Sequence, residues 1–241
     1  MREPTWKTAD GQVQLWLGDC REILADFPLS SINCFLTDPP FGVRRPSAWR
    51  SDDARFQEIV GNESVDATWC GLAYDAAADG ACCYSFCTWD TLAQWRSGLA
   101  LAGWRVRSCI VWDKMIHGLA DLQTCWAPRH ELILFSAKGR HELLGARPID
   151  VVQHQRVSDL QHPYQKPVSL IGELLRTNAG VVCDPYMGSG TTALACLQAG
   201  RLFRGIEIAE EYFDVAVQRI TEESRRYSLF EPEPVIQRTF A

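Results

Sequence analysis

The sequence predicts an α/β fold, a mostly parallel sheet with helices on both faces and a single domain, and three observations predict it. Short apolar runs alternate along the chain with stretches of helical spacing, as parallel sheets buried on both faces require. One of those runs, Val181 to Cys183, ends in a glycine-rich bend that opens a helix. Another, Ile32 to Leu36, ends in an acid followed by two prolines.

Taken in order, the strand-like runs are Val13 to Leu17, Ile32 to Leu36, Ala81 to Phe86, Val106 to Trp112, Leu132 to Phe135, Val181 to Cys183 and Phe203 to Ile208. Between them, Leu92, Trp95, Leu99 and Ala102 recur at helical spacing. So do Val168, Ile171, Leu174 and Leu175, then Ala193, Leu194 and Leu197. Residues from Val43 to about Ser64 are polar, carry Arg44, Arg45, Arg50 and Arg55, and have no clean period. The segment from about Gly139 to Gln161 is similar, with Arg140, Arg147 and Arg156. Long loops in a compact domain are usually functional, and both are expected to contact a partner. The tail beyond Tyr227, with Pro232 and Pro234, reads as a loose extension.

At 241 residues, 46% of them hydrophobic and 22% charged, the chain suffices for one large core. No signal peptide and no apolar stretch of the roughly 20 residues that span a bilayer is visible, so a cytoplasmic address without membrane attachment is expected. The cysteines are scattered through apolar surroundings without paired CxxC spacing, and Cys34, Cys70, Cys109, Cys125, Cys183 and Cys196 read as reduced thiols rather than metal ligands. No metal site is expected. A net charge of −6 argues against a general nucleic-acid coat but leaves room for a local basic cleft.

The first chemical motif is Thr37-Asp38-Pro39-Pro40-Phe41-Gly42, at the carboxyl end of a strand, where doubly wound sheets bind ligands. Residues preceding proline are held extended, and neither proline offers an N–H, so the motif is a stiff ledge of acceptors. Such a ledge suits an exocyclic base amine, whose lone pair is delocalised into the ring. If the Asp38 carboxylate and the Pro39 carbonyl each accept one amine hydrogen, the nitrogen turns pyramidal and aims its lone pair at a methyl donor. Phe41 would stack on an unstacked base, for about 1–3 kcal/mol. Asp38 would also stabilise the positive charge that develops on the nitrogen. The plainer alternative is a rigid strand-ending turn.

The second motif is Asp184-Pro185-Tyr186-Met187-Gly188-Ser189-Gly190-Thr191-Thr192-Ala193. Gly188 and Gly190 allow a sharp bend close to a ligand, and Ala193 allows tight helix-to-strand contact. Glu207, at the end of the next strand-like run, lies close to the offset of roughly 20 residues at which an acid accepts ribose hydroxyls. This is a nucleoside site, although Gly-x-Gly-x-x-Ala alone also fits dinucleotides. A phosphate-binding P-loop is disfavoured because no Lys follows the glycines.

Together these residues resemble the DNA amino-methyltransferases that act on adenine N6 or cytosine N4, specifically the beta class, in which the Asp-Pro-Pro-aromatic motif precedes the glycine motif. The resemblance extends over most of the chain. It implies S-adenosyl-L-methionine as cofactor, with Asp184, Pro185, Tyr186, Gly188, Ser189, Gly190 and Thr191 around its methionine end, Glu207 and Ile208 at its ribose, and Asp38 beside it. Leu17-Gly18-Asp19-Cys20 resembles the segment that meets the cofactor adenine. His162-Pro163-Tyr164-Gln165-Lys166-Pro167 resembles the motif that helps wall the methionine pocket, with Pro167 at a helix start. Ile110 to Lys114 and His130 to Leu134 resemble the strands flanking the target-base pocket. The implied fold is a circularly permuted seven-stranded sheet with the strands of Asp38 and Asp184 side by side.

Chain order disfavours a dehydrogenase, which needs several strands after its glycine turn. A carbon-5 cytosine methyltransferase needs a nucleophilic Cys after Pro, and no Pro-Cys pair occurs. In the resembled family, Asp at position 38 is typical of adenine-N6 enzymes and Ser of cytosine-N4 enzymes, so adenine is favoured. The expected partner is DNA, as a duplex with a flipped base or as a single strand. Its expected contacts are Arg44, Arg45, Arg50, Arg140 and Arg147, for which a solvated surface is the alternative. Trp112 and the run Trp126 to Arg129 are candidates for the base pocket, with core packing the alternative for the tryptophans. Oligomeric state is open, a homodimer included. The reading of a different class is a catalytically silent cofactor-binding or DNA-binding module, against which the intact Asp38 to Phe41 ledge argues.

Overall fold

The computed structural model describes residues 2–40, 65–118, 123–157 and 165–228. Its frame is one sheet of nine strands with helices on both faces. The strands are β1 (Trp6–Lys7), β2 (Val13–Leu17), β3 (Ile32–Thr37), β4 (Ala77–Cys87), β5 (Arg105–Asp113), β6 (His130–Ala137), β7 (Val151–Gln153), β8 (Val182–Asp184) and β9 (Phe203–Glu207). The helices are α1 (Cys20–Ala25), α2 (Thr68–Ala76), α3 (Leu92–Leu101), α4 (Val168–Leu175), α5 (Thr191–Gln198) and α6 (Glu210–Ser228). Spatial order is β1-β2-β9-β8-β3-β4-β6-β5-β7. The run from β2 through β4 is parallel, whereas β6 runs antiparallel to both β4 and β5.

All seven apolar runs are strands of this sheet. Two strands beyond them, β1 and β7, sit at its edges. With two and three residues they are too short to show a period, and β7 lies in the polar segment expected to be a loop. Helix α1 also escapes a periodicity reading at six residues; Asp19 starts it by accepting the Arg21 N–H over 2.8 Å.

Alternation along the central strands divides the core. Cys34 and Leu36 face a cluster with Ile171, Leu174, Ala193, Phe213 and Ile220 of α4 to α6. Phe35 faces the opposite cluster, with Ile23, Trp69, Ala73, Trp95 and Leu99 of α1 to α3. The chain leaves β8 through α5 toward β9, and leaves β3 toward β4, so the paired ends of β8 and β3 form a topological switch point. All ten cysteines are free, and eight are buried.

Candidate active site

Asp38 follows the last residue of β3 and Asp184 is the last of β8. The strands pair in parallel, Cys34 with Val182 and Phe35 with Cys183, which brings the two acids to one edge of the sheet. Asp38, Lys166, Asp184, Tyr186, Gly188, Ser189 and Thr191 line a single cleft of about 440 Å³, open solvent at its mouth included. The acid and the glycine bend therefore share one space.

The bend is held from several sides. Gly188 and Gly190 have φ of 52° and 80°, the left-handed region where a side chain is strained. A Cβ on Gly190 would also lie 3.0 Å from the Ala216 Cβ. Glu207, at the tip of β9, accepts the Gly188 N–H on Oε2 and the Ala209 N–H on Oε1, each over 2.9 Å. Asp184 accepts the Thr192 hydroxyl over 2.7 Å and the Tyr186 N–H over 3.1 Å. From α6, Arg219 donates to the Ser189 carbonyl and, over 2.8 Å, to the Ser189 hydroxyl.

Other expected site residues surround this cleft rather than line it. Glu207 stands behind the bend, and its carbonyl accepts the Gly18 N–H over 2.8 Å, so the ends of β2 and β9 abut. Asp19 is engaged by the Arg21 guanidinium as well as by the helix it starts. Cys20 is buried and packs in the same cluster as Tyr186. Pro185 is buried, and Ile208 is half exposed just past Glu207. Phe41, Arg44, Arg45 and Arg50 lie outside the described residues.

Arg140 and Arg147, expected at DNA, lie in the segment that follows β6. Because β6 runs antiparallel, the chain beyond Ala137 emerges at the opposite edge of the sheet, where Gly80 donates to the Lys138 carbonyl and His141 bonds the Gly80 carbonyl. Arg140 is therefore about 20 Å from the level of Asp38 at roughly 3.3 Å per residue, and its exposed side chain pairs with Glu142. Arg147 is exposed on the connection that returns to β7. Of the tryptophans proposed for the base pocket, Trp112 is core and donates to the His154 carbonyl over 2.8 Å, whereas Trp126 is 98% exposed.

A chain of four charges reaches the cleft. Lys166 Nζ lies 2.6 Å from Asp38 Oδ2 and 3.2 Å from Glu131 Oε2. Lys114 Nζ lies 3.4 Å from Glu131 Oε1, and the Lys166 ammonium stands 4.9 Å from the Phe86 ring centroid. Burial pushes Asp38 up to about 6, with Lys166 pulling the other way and Glu131 adding to the rise. Lys166 is held above its ordinary value: burial opposes its charge, and Asp38 and Glu131 outweigh burial. Asp184 is pushed up to about 7, again chiefly by burial. Asp38 Oδ1 is out of solvent and accepts no hydrogen bond among the described residues. A buried acceptor without a partner marks a place where a ligand donor fits.

The lining also fits the cofactor. Asp38 and Asp184 line the cleft beside the Lys166 ammonium, acceptors suited to the amino group of an amino acid. The bend exposes a helix N-terminus to the carboxylate of an amino acid. Lys114 and Glu131 lie in the two segments expected to flank the base pocket, but their pairing follows only from the register of β5 on β6, which sets Trp112 opposite Glu131; Arg219 carries no motif and is brought in by the packing of α6.

Comparison with known proteins places the chain in a family. A family model described as DNA methylase, of the N6/N4 methyltransferases, matches residues 32–218. The protein YubD of Escherichia coli (strain K12), described as a methylase, is 31% identical over 211 residues, covering 84% of this chain and 88% of its own. The type II methyltransferase M.ScaI of Streptomyces caespitosus is 25% identical over 275 residues, covering 95% of this chain and 86% of its own. Among solved structures, the PvuII DNA methyltransferase, described as cytosine-N4-specific, shares the fold with a TM-score of 0.71 at 15% identity, over 93% of this chain and 95% of that one. The M1.HpyAVI complex with S-adenosylmethionine does so with a TM-score of 0.65 at 24% identity, over 86% and 99%.

Proposed function

The chain belongs to the N6-adenine/N4-cytosine family of DNA methylases, and on that premise we propose that it methylates the exocyclic N6 of an adenine flipped out of DNA. Methyl transfer to a DNA amine from S-adenosyl-L-methionine is the family's activity. The observation that carries the finer reading is Asp38, which lines the cleft of the glycine bend: one carboxylate oxygen is held by Lys166, while the other is buried with no donor among the described residues.

When bound, the cofactor supplies a methyl on a sulfonium. Asp184 and the bend at Gly188 to Thr191 would bind and orient it, with Glu207 holding the bend and meeting the ribose. Asp38 Oδ1 and the Pro39 carbonyl accept the two amine hydrogens, which frees the nitrogen lone pair for in-line displacement. As the N–C bond forms and the S–C bond breaks, the nitrogen gains positive charge, which Asp38 stabilises without reorganising. A carboxylate lifted to about 6 is also suited to take up the proton the nitrogen sheds. Holding both partners in one small space supplies much of the rate advantage of such a reaction.

Adenine is favoured because residue 38 is Asp, and reaching its buried amine requires an unpaired or flipped base. A cytoplasmic enzyme acting on the cell's own DNA accords with this reading, and no helix among the described residues is long and apolar enough to cross a membrane. The test is transfer of labelled methyl from S-adenosyl-L-methionine to unmethylated DNA by the protein and by Asp38→Ala, followed by digestion to nucleosides. We expect N6-methyladenine as the product and a loss of at least about a hundredfold in the variant. Recovery of N4-methylcytosine alone would overturn the choice of base, and full activity of Asp38→Ala the role of that residue.

A further inference from the structure

We propose that Lys166, held by Glu131 and through it by Lys114, is the positioning residue that fixes Asp38, occupying one carboxylate oxygen so that the other is presented to the base amine. The inference rests on the role of Asp38 given above and extends it to residues of three further elements. Glu131 lies in β6, Lys114 just past β5, and Lys166 just before α4, 128 residues from Asp38.

The geometry separates the two oxygens of one carboxylate. Oδ2 is 2.6 Å from the Lys166 ammonium, while Oδ1 is buried with no partner among the described residues. A carboxylate on a single side-chain torsion pair swings freely unless one oxygen is anchored, and the broad torsion next to a planar carboxyl supplies no restraint of its own. Lys166 is anchored in turn: Glu131 lies 3.2 Å from its ammonium, and the Phe86 ring packs beside it. Lys114 holds the other oxygen of Glu131 at 3.4 Å, so two cations and two anions alternate from Lys114 to Asp38 at the cleft. Buried ion chains are an uncertain source of stability, because desolvation offsets attraction. Placed against a catalytic acid, the same chain fixes an angle and a charge.

The arrangement also sets when Asp38 is ionised. The groups acting on it are Lys166 in favour of the anion, and Glu131, together with burial, against it. Asp184 and the Cys87 thiol stand close enough to feel its charge, and the raised values of both include repulsion from Asp38. Removing Lys166 and removing Glu131 must therefore move the titration of Asp38 in opposite directions. A role confined to stability would leave kcat on the plateau of the pH profile unchanged.

The experiment measures kcat for labelled methyl transfer to DNA against pH, at saturating cofactor, for the protein and for Lys166→Met, Lys166→Arg, Glu131→Gln and Asp38→Ala. The acid limb of the profile reports loss of the Asp38 anion. We expect the limb to rise by about one pH unit in Lys166→Met and to fall by up to about one unit in Glu131→Gln, as neighbouring charges shift a carboxylate. Both variants should lose kcat at least tenfold with the KM for DNA little changed, and Lys166→Arg should restore the limb. If Glu131→Gln does not fold, Lys166→Met against Lys166→Arg decides alone. Unmoved limbs with an inactive Asp38→Ala overturn the positioning chain and leave the role of Asp38 standing. An active Asp38→Ala overturns both.

Discussion

Glu207 holds Gly188: the carboxylate at the tip of β9 accepts the glycine N–H over 2.9 Å and so ties the glycine bend to the neighbouring strand. Its second oxygen accepts the Ala209 N–H, so the side chain adds a link between two backbone segments already joined where the Met187 N–H donates to the Ile206 carbonyl. Replacing it by Ala leaves both amides without that acceptor. Hydrogen bonds to a charged group contribute about 1.5–3 kcal/mol, so Glu207→Ala should weaken S-adenosyl-L-methionine binding by about tenfold or more in calorimetric titration. An unchanged Kd would contradict the assignment.

Arg219 acts on the same bend from the other side. Its guanidinium, partly buried against α6, donates to Ser189 at both carbonyl and hydroxyl. Arg219→Met keeps the length of the side chain and removes the donors. A loss of about 1–3 kcal/mol in stability is expected from the stranded acceptors, together with a several-fold weaker cofactor. Urea unfolding and titration of the same preparation read the two effects separately.

Gly205 in β9 has no room for a side chain. A Cβ there would approach the Met187 sulfur to 2.5 Å, Phe203 to 2.6 Å and Leu15 to 2.9 Å. Overpacking of this kind costs about 1–3 kcal/mol. Gly205→Ala should lower the urea midpoint accordingly, with an unchanged m-value, and a variant as stable as the parent would show that β9 can move aside.

Asp184 gives the fold a pH dependence whose sign follows from its burial. Its value rises from the ordinary 3.8 to about 7 in the folded protein. Between those values the folded state holds a proton that the unfolded chain has released, so stability from this group falls as pH rises across the window and levels off above it. Asp184→Asn removes that slope. Unfolding free energies at pH 5, 6, 7 and 8 should therefore fall less steeply in the variant than in the parent, and parallel curves would refute the assignment.

The thiols offer a simple check of the core. Cys125 is exposed, Cys109 is partly covered, and the other eight are buried. A thiol reagent should label one cysteine rapidly in the native protein and all ten after unfolding. Rapid labelling of three or more native thiols would mean that the packing around β3, β4 and β8 is looser than described.

What the sequence reveals is what lies together along the chain. Asp38 with its prolines, the glycines at 188 and 190, and the strand ends that carry them are local features, and pairing of β3 with β8 joins them as expected. Partners chosen by register are invisible from the sequence. Glu131 is one residue in an apolar strand until β5 and β6 pair and set it beside Lys114 and Lys166. Arg140 and Arg147 look like partners for DNA by charge alone. The reversal of β6 turns the start of that segment, with Arg140, to the far edge of the sheet, which composition does not record. The short strands β1 and β7 are set by neighbouring backbone rather than by a pattern of their own.

The middle of the sheet is filled late in synthesis. β8 supplies residues 182–184 and β9 residues 203–207, yet they are inserted between β2 and β3, which leave the ribosome more than a hundred residues earlier. Until then β2 and β3 have no mutual contact and expose bare edges, the state in which strands recruit the wrong neighbour. Closing so long a loop before any central contact rewards it makes folding slow. A nascent chain cut short before residue 203 would lack both the acid that holds the glycine bend and the join between the two halves of the sheet, so the site cannot assemble until β9 has been made.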